Sequence, residues 1–516
     1  MTSGIHHVTL ITRKVQANVD FYAGFLGLRL VKRTGGYEDA EQLHLFYGNS
    51  EGSPGSLITF LVWEDGSQGR VGLAQVGEIA LAVPPASIGF WLTRALRFGI
   101  KHQGPVAEFG EPVLRLTDPD GITVKLVGVA LEGGAPPWSV AGIPEADAVR
   151  RIRGVTLMSD VPDQTGAFLA THFGYTHAAR SGSLERMVSE SGDIVDIRDA
   201  SGFWPGAPGT GVADHVAFRA PDHERVDAVE RALRSRNASI VNVHDRKYFY
   251  SLYVREPGNI LFEFATDGPG MLVDEPAETL GTQLMIPPER QADAETIRLL
   301  LPQFSMPDED RVRYVDLPFV HRFFTPSDPD GSVIVLLHGS GGSEADLMPM
   351  AARIAPRATL LGVRGRATEE GIARWFRREG PLRFDQKDIR SEAEAFEAFV
   401  EGAVETYALE PARLTFMGYS NGANFLLAAM QFHPGLIRHA VALRPARVLE
   451  ERTGADLAGT RILVVLGRDD ALYREQGDEV FAELTRLGAD TALAEVPAGH
   501  ELDDMDIEVV RRWLAD

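Results

Sequence analysis

"IHHVTLITRKVQANVDFYAGFLGLRL", residues 5–30, decides how the first half of the chain is read. An apolar β-run enters a polar turn and then a helix with Val15, Val19, Tyr22 and Leu26 at helical spacing. Gly27 stands where that helix would be capped. The same order of signals returns in "GEIALAVPPASIGFWLTRALRFGI" (77–100), "RGVTLMSDVPDQTGAFLATHFGY" (153–175) and "VADHVAFRAPDHERVDAVERALRSR" (212–236). Further short β-runs follow, such as "GSLITFLVW" (55–63) and "EPVLRLTDPDGITVKLVGV" (111–129). The period, roughly 60–75 residues, exceeds that of the usual solenoid repeats. The economical expectation is an α+β region of four βαββ units, about 1–65, 70–130, 150–200 and 210–267. One such unit leaves a sheet face uncovered, so the copies should pair.

Composition bounds the function. A chain of 516 residues exceeds one ordinary core. Its 51 Lys and Arg against 73 Asp and Glu give a formal charge of −22, which argues against nucleic acid or an anionic membrane as partner. No apolar run approaches the roughly 18 residues of a membrane span, and none at the start resembles a signal peptide. A cytoplasmic location is therefore expected. With no cysteine, disulfides, thiolate nucleophiles and cysteine-type zinc sites are excluded.

Strict alternation along a strand would send His6 and His7 to opposite faces. Aligned on the first strand, the position of His7 carries Glu78, Gly154 and His215 in the other copies. Copy four ends on a strand bearing Glu263, where copy two has Lys125 and copy one Phe60. A lone strand histidine is more often structural than a ligand. Here two occupy one repeat position, and a carboxylate sits among Leu261, Phe262 and Phe264, where it would be costly unpaired. His7, His215 and Glu263 make the two-histidine, one-carboxylate set of non-heme Fe(II) oxygenases. Copies one and four must then face each other, leaving two and three to pair without a metal. The role of His6 depends on local twist.

The four-copy pattern resembles the vicinal-oxygen-chelate superfamily, which holds glyoxalases and extradiol dioxygenases. Within it, residues 1–303 resemble the ring-cleaving dioxygenases that act on hydroquinones, through "GIHHVTLI", "NVDFYAGFLGLRLVKRT", "HDRKYFYSLYVREPGN", "LFEFATDGPG" and "LGTQLMIPPERQ". The resemblance implies Fe(II), with Mn(II) as alternative, held by His7, His215 and Glu263 and surrounded by His6, Thr9, Arg246 and Tyr253. It implies a small aromatic substrate and O2, with both oxygen atoms entering the opened ring. One position departs: the family usually has a further histidine, a candidate proton shuttle, where this chain has Asp214. A quinone-binding or resistance module is the rival reading. A glyoxalase-like isomerase would want a fuller ligand set, which Phe60 and Lys125 deny.

After Asp267 the composition shifts. A Gly-, Pro- and acid-rich arm precedes a helix expected over 292–304, closing a region 1–304 ahead of a linker at 305–310. Over 311–516, apolar β-runs alternate with helical patterns, the mark of a mostly parallel, doubly wound sheet. "LTFMGYSNGANFLLAAM" (414–430) is strand, Gly-x-Ser-x-Gly and helix, the context of a nucleophile elbow exposing Ser420. Backbone N–H groups of Ser340, in His338-Gly339-Ser340-Gly341-Gly342, and of Asn421 are candidates for an oxyanion hole. Asp469 and Asp470 follow a later strand and His500 the last, in the order Ser, Asp, His of an α/β-hydrolase. This region resembles the phospholipase/carboxylesterase family, whose G-x-x-D turn favours Asp470. A small ester or acyl substrate is implied. Trp375 and Phe376 are either pocket walls or core. The whole chain reads as a bifunctional dioxygenase and carboxylesterase, with association into a homo-oligomer left open.

Overall fold

Four times in the computed structural model the chain runs strand, helix, strand, strand, strand. Residues 4–36, 39–130, 137–138, 140, 142–235, 240–307, 309, 317–380, 383–471 and 473–515 are described. Module one has β1 (Ile5–Thr12), α1 (Val15–Val19, continuing as a π-helical stretch Asp20–Phe25), β2 (Arg29–Gly35), β3 (Leu43–Gly48) and β4 (Leu57–Val62). Module two has β5 (Gln75–Val83), α2 (Ile88–Arg97), β6 (His102–Glu108), β7 (Glu111–Thr117) and β8 (Thr123–Gly128). Module three has β9 (Arg151–Ser159), α3 (Pro162–Phe173), β10 (Thr176–Ser181), β11 (Leu184–Val188) and β12 (Ile194–Asp199). Module four has β13 (Ala213–Ala220), α4 (His223–Ser235), β14 (Ile240–Asp245), β15 (Phe249–Arg255) and β16 (Leu261–Pro269). Each module thus carries one strand more than βαββ, and its last strand returns parallel to its first.

Antiparallel pairing of β1 with β13 joins modules one and four. The result is a nine-stranded sheet, β14-β15-β16-β13-β1-β4-β3-β2-β17, whose edge strand β17 (Leu284–Met285) comes from the arm. Pairing of β5 with β9 joins modules two and three in an eight-stranded sheet, β10-β11-β12-β9-β5-β8-β7-β6.

The register of these central pairs contains an extra residue at one place in every module. Ile5 lies opposite Phe218 and His7 opposite Ala217, so His6 is a bulge. The same count makes Asp214 a bulge in β13, Gly77 in β5 and Arg153 in β9. A bulge breaks the alternation of side chains and re-aims them. The expectation that His6 and His7 look into different spaces therefore fails. Register also corrects one alignment. Glu263 lies opposite Ala217, two residues beyond His215, and the matching residue of module one is Thr59, opposite Thr9. Phe60 points to the other face.

The remaining strands are β18 (His321–Phe324), β19 (Val333–Leu337), β20 (Thr359–Val363), the hairpins β21 (Ala367–Glu369) with β22 (Ile372–Arg374) and β23 (Arg378–Gly380) with β24 (Arg383–Phe384), then β25 (Leu414–Tyr419), β26 (His439–Leu443), β27 (Arg461–Gly467) and β28 (Asp490–Val496). A seven-stranded sheet runs β18-β20-β19-β25-β26-β27-β28, parallel except for β18. Val333, Val335 and Leu337 face a core with α7 (Gln386–Thr406), α8 (Asn421–Phe432) and α9 (Arg474–Arg486). Ile334 and Leu336 face a second core with α6 (Met348–Ile354) and α10 (Asp504–Ala515). The sheet is doubly wound, as an α/β-hydrolase requires.

Two compact units result: Met1–Ile297 with Ser305–Glu309, and Arg298–Phe304 with Asp310–Asp516. The helix α5 is Ala294–Leu300, shorter than 292–304. Its end belongs to the second unit, because Leu299 is buried in the core that holds Ile334 and Leu336. Residues 308 and 310 of the expected linker, and 311–316 after it, lie outside the described residues. No helix among the described residues is long and apolar enough to cross a membrane.

Candidate active sites

Neighbouring strands bring three distant side chains together in the nine-stranded sheet. His7 on β1, His215 on β13 and Glu263 on β16 are all buried. Glu263 Oε2 lies 3.1 Å from His7 Nε2 and 2.8 Å from His215 Nε2, and the two Nε2 atoms are 3.4 Å apart. An ion with three ligand bonds of about 2.1 Å at right angles would hold those atoms about 3 Å from one another. Oε2 is a buried oxygen with no well-directed hydrogen bond. Spacing, donor chemistry and the orphaned oxygen all fit a divalent metal with open positions. Among the described residues this is the one cluster of His, Cys, Asp or Glu with such convergence. Burial works against charge on Glu263, but His7 and His215 hold its carboxyl well below the usual range. Burial likewise lowers the pKa of His7. At His215 burial is outweighed by the Asp214 and Glu263 carboxylates beside it, which push it up to about 9.

Both bulge residues stand behind a histidine. His6 Nδ1 is 2.9 Å from His7 Nδ1, and Asp214 Oδ2 is 2.6 Å from His215 Nδ1. A partner at Nδ1 fixes the tautomer and leaves Nε2 free to bind metal. Asp214 is thus placed to orient His215. Thr9 Oγ1 sits 3.0 Å from His215 Nε2 and 2.8 Å from Thr59 Oγ1. Arg246 lies over the Tyr253 ring, 5.7 Å from its centroid, and hydrogen-bonds it. The Tyr253 ring meets His215 edge-on at 5.2 Å. Burial, and then Glu263, raise the Tyr253 phenol well above its ordinary pKa, so it keeps its proton.

Sequence reasoning missed Ser251, whose hydroxyl donates to Glu263 Oε1 and leaves Oε2 facing the histidines. Its signal was alternation: Ser251 precedes Tyr253 by two on β15 and shares its face. Phe249, packed 5.1 Å from the His6 ring and 5.0 Å from His7, obeys the same rule.

The eight-stranded sheet carries ions of its own in the matching place. Lys125, the counterpart of Glu263, has Nζ 3.2 Å from Glu78, 3.8 Å from Asp196 and 3.0 Å from Thr156 Oγ1. Arg115 pairs with Glu78 and Glu108, and Arg186 with Asp196. Burial opposes the charge on Glu78, but Arg115 and Lys125 prevail and lower its pKa to about 2.

In the second unit Ser420 lies between β25 and α8 with φ 50° and ψ −115°, a strained conformation for a non-glycine residue. Gly422 makes this turn possible, since a Cβ there would lie 2.2 Å from the Leu337 carbonyl oxygen. Ser420 Oγ is 2.9 Å from His500 Nε2, and His500 Nδ1 is 2.8 Å from Asp470 Oδ2. Asp470 is buried and also accepts from the Tyr473 N–H, whereas Asp469 is exposed. Asn421 opens α8, so its N–H has no acceptor within the helix. Its side chain accepts from the Trp375 N–H at 2.9 Å. Arg374 Nη1 donates to Ser340 Oγ at 2.7 Å. Trp375 and Phe376 are fully buried core residues, and the Trp375 indole N–H also ties down the His338 carbonyl.

Fold and clustered side chains thus define a glyoxalase-type scaffold with a candidate metal centre, ahead of an α/β-hydrolase. The model of the Glyoxalase/Bleomycin resistance protein/Dioxygenase superfamily matches residues 4–126. "Putative ring-cleaving dioxygenase MhqO" of Bacillus subtilis is 38% identical over 55% of this chain and 91% of its own length. The "Chlorohydroquinone/hydroquinone 1,2-dioxygenase" of Sphingobium indicum is 29% identical over 55% of the chain and 92% of its own length. "Putative hydrolase MhqD" of Bacillus subtilis is 32% identical over 36% of the chain and 93% of its own length. Among solved structures, a carboxylesterase from Mesorhizobium loti is 42% identical over 39% of the chain and 97% of its own, with a TM-score of 0.38. The chain belongs to the ring-cleaving dioxygenase family of that superfamily, with a hydrolase domain joined behind it.

Proposed function

We propose that the first unit is an iron(II)-dependent extradiol-type dioxygenase that opens the ring of a hydroquinone or related phenol, and that the second is a serine carboxylesterase. The mutual spacing of His7, His215 and Glu263 carries the first reading. When bound, the metal supplies open positions for a phenolic oxygen and for O2. His6 and Asp214 hold the two imidazoles in the tautomer that presents Nε2, and Ser251 holds the far oxygen of Glu263. The Arg246 cation and the Tyr253 hydroxyl stabilise negative charge on the substrate oxygen by charge and hydrogen bonding. The name of the Sphingobium relative supports a hydroquinone as substrate.

In the second unit His500 takes the Ser420 proton as Oγ attacks the acyl carbon, and Asp470 steadies the imidazolium. The N–H groups of Ser340 and Asn421 receive the oxyanion. His500 then returns the proton to the leaving oxygen, and water repeats the steps to free the acid. The fusion lets one chain open a ring and hydrolyse an acyl derivative before or after it.

Oxygen uptake by protein loaded separately with Fe(II) and Mn(II), on a panel of hydroquinones and catechols, tests the first reading. One O2 per substrate with Fe(II), lost in Glu263→Ala, is the expected result. Binding of the aromatic with no oxygen consumed would instead make the unit a resistance module.

A further inference from the structure

One group of the nine-stranded sheet has no place in the chemistry above. His44 lies on β3 opposite Leu61 of β4, and its neighbour but one, Phe46, lies opposite Thr59. Thr59 in turn lies opposite Thr9, whose hydroxyl contacts His215. Directly opposed residues share a sheet face, as do residues two apart on a strand. His44 therefore lies on the same sheet face as His7, His215 and Glu263, beside Phe46, whose ring centroid is 4.2 Å from its own. Its Nε2 is buried and has no hydrogen-bond partner. Burial, then the charges of Arg246, His7 and His215, lower its pKa to about 3. The ring is neutral at physiological pH, and a buried nitrogen left unmatched is costly.

The reading of this site as a ring-cleaving centre, on which this inference rests, supplies a group to match it. Hydroquinone carries its hydroxyls at opposite ends of the ring. Only one can reach the position between His7, His215 and Glu263, so the other is buried farther off, where it too needs a partner. The geometry points to His44 Nε2 as the partner of that distal hydroxyl. His44 would thus select para-dihydroxylated rings over simple phenols, whose far end offers it nothing.

The test uses the full chain loaded with Fe(II) under anaerobic conditions, where binding is measured without turnover. Dissociation constants for hydroquinone and phenol are compared in wild type, His44→Phe and His44→Gln. His44→Phe should weaken hydroquinone about tenfold and leave phenol unchanged, with His44→Gln recovering part of the loss. Equal weakening of both ligands would make His44 a packing residue and overturn the assignment, as would hydroquinone binding unchanged in His44→Phe. A wild type that binds phenol as tightly as hydroquinone overturns the role of His44 alone. A wild type that binds neither overturns the ring-cleaving reading together with it.

Discussion

Asp214 Oδ2 lies 2.6 Å from Nδ1 of His215, its own neighbour in the chain, and His6 stands in the same relation to His7. Two successive strand residues meet because the first of each pair is a bulge. The two histidines are nevertheless backed differently, one by a carboxylate and the other by an imidazole. A carboxylate behind a ligating histidine raises its basicity. Asp214→Asn keeps the shape and removes the charge, and should lower the affinity of the metal-free protein for Fe(II) or Mn(II) about 10–100-fold. Chelator competition measures this, and unchanged affinity would mean that Asp214 is idle.

Ser251→Ala removes the donor to Glu263 Oε1. The carboxylate then keeps a buried oxygen unmatched, at a cost of about 1–3 kcal/mol. Lower thermal stability of the first unit is expected, together with weaker metal binding. Ser251→Thr should restore both, and a silent Ser251→Ala would show that Glu263 is held by its neighbours alone.

The two chemistries should separate cleanly by mutation. Ser420→Ala is expected to lower turnover of a p-nitrophenyl ester by about 10⁴-fold or more and to leave oxygen uptake intact. Glu263→Ala should do the reverse. Ester hydrolysis that survives Ser420→Ala would place the nucleophile elsewhere.

The eight-stranded sheet predicts a stability effect and its pH dependence. Lys125→Met leaves Glu78 and Asp196 short of a partner, at a cost of about 3 kcal/mol. The folded-state pKa of Glu78 is depressed from 4.5 to about 2, so its stabilisation is complete above pH 4.5 and is lost as the pH falls toward 2. Urea titrations across that window should show a steep loss in wild type and a shallower one in Lys125→Met. Parallel curves would mean that Arg115 alone sets the carboxyl.

Much of this was legible in the primary structure, for definable reasons. The four modules announced themselves through turn and helix signals at recurring places, and the hydrolase through Gly-x-Ser-x-Gly in a strand-to-helix context. His7, His215 and Glu263 could be aligned because each sits at a fixed offset within a repeat. What stayed hidden depended on register. A bulge at His6 leaves no mark in composition, so alternation wrongly separated it from His7. Thr59 was overlooked because the alignment placed Phe60 one residue off, which on a strand means the opposite face. Leu299 continued a helical pattern and gave no sign of the unit whose core it would enter.

The bulge recurs at Gly77 and Arg153, in modules with no histidine pair. It therefore does not depend on a histidine pair. The backbone kink that aims His6 and His7 thus comes with the repeated module, so the backbone of a metal cradle would be formed before any metal arrives. Loading should then need no folding step, only release of the proton that Asp214 and Glu263 hold on His215.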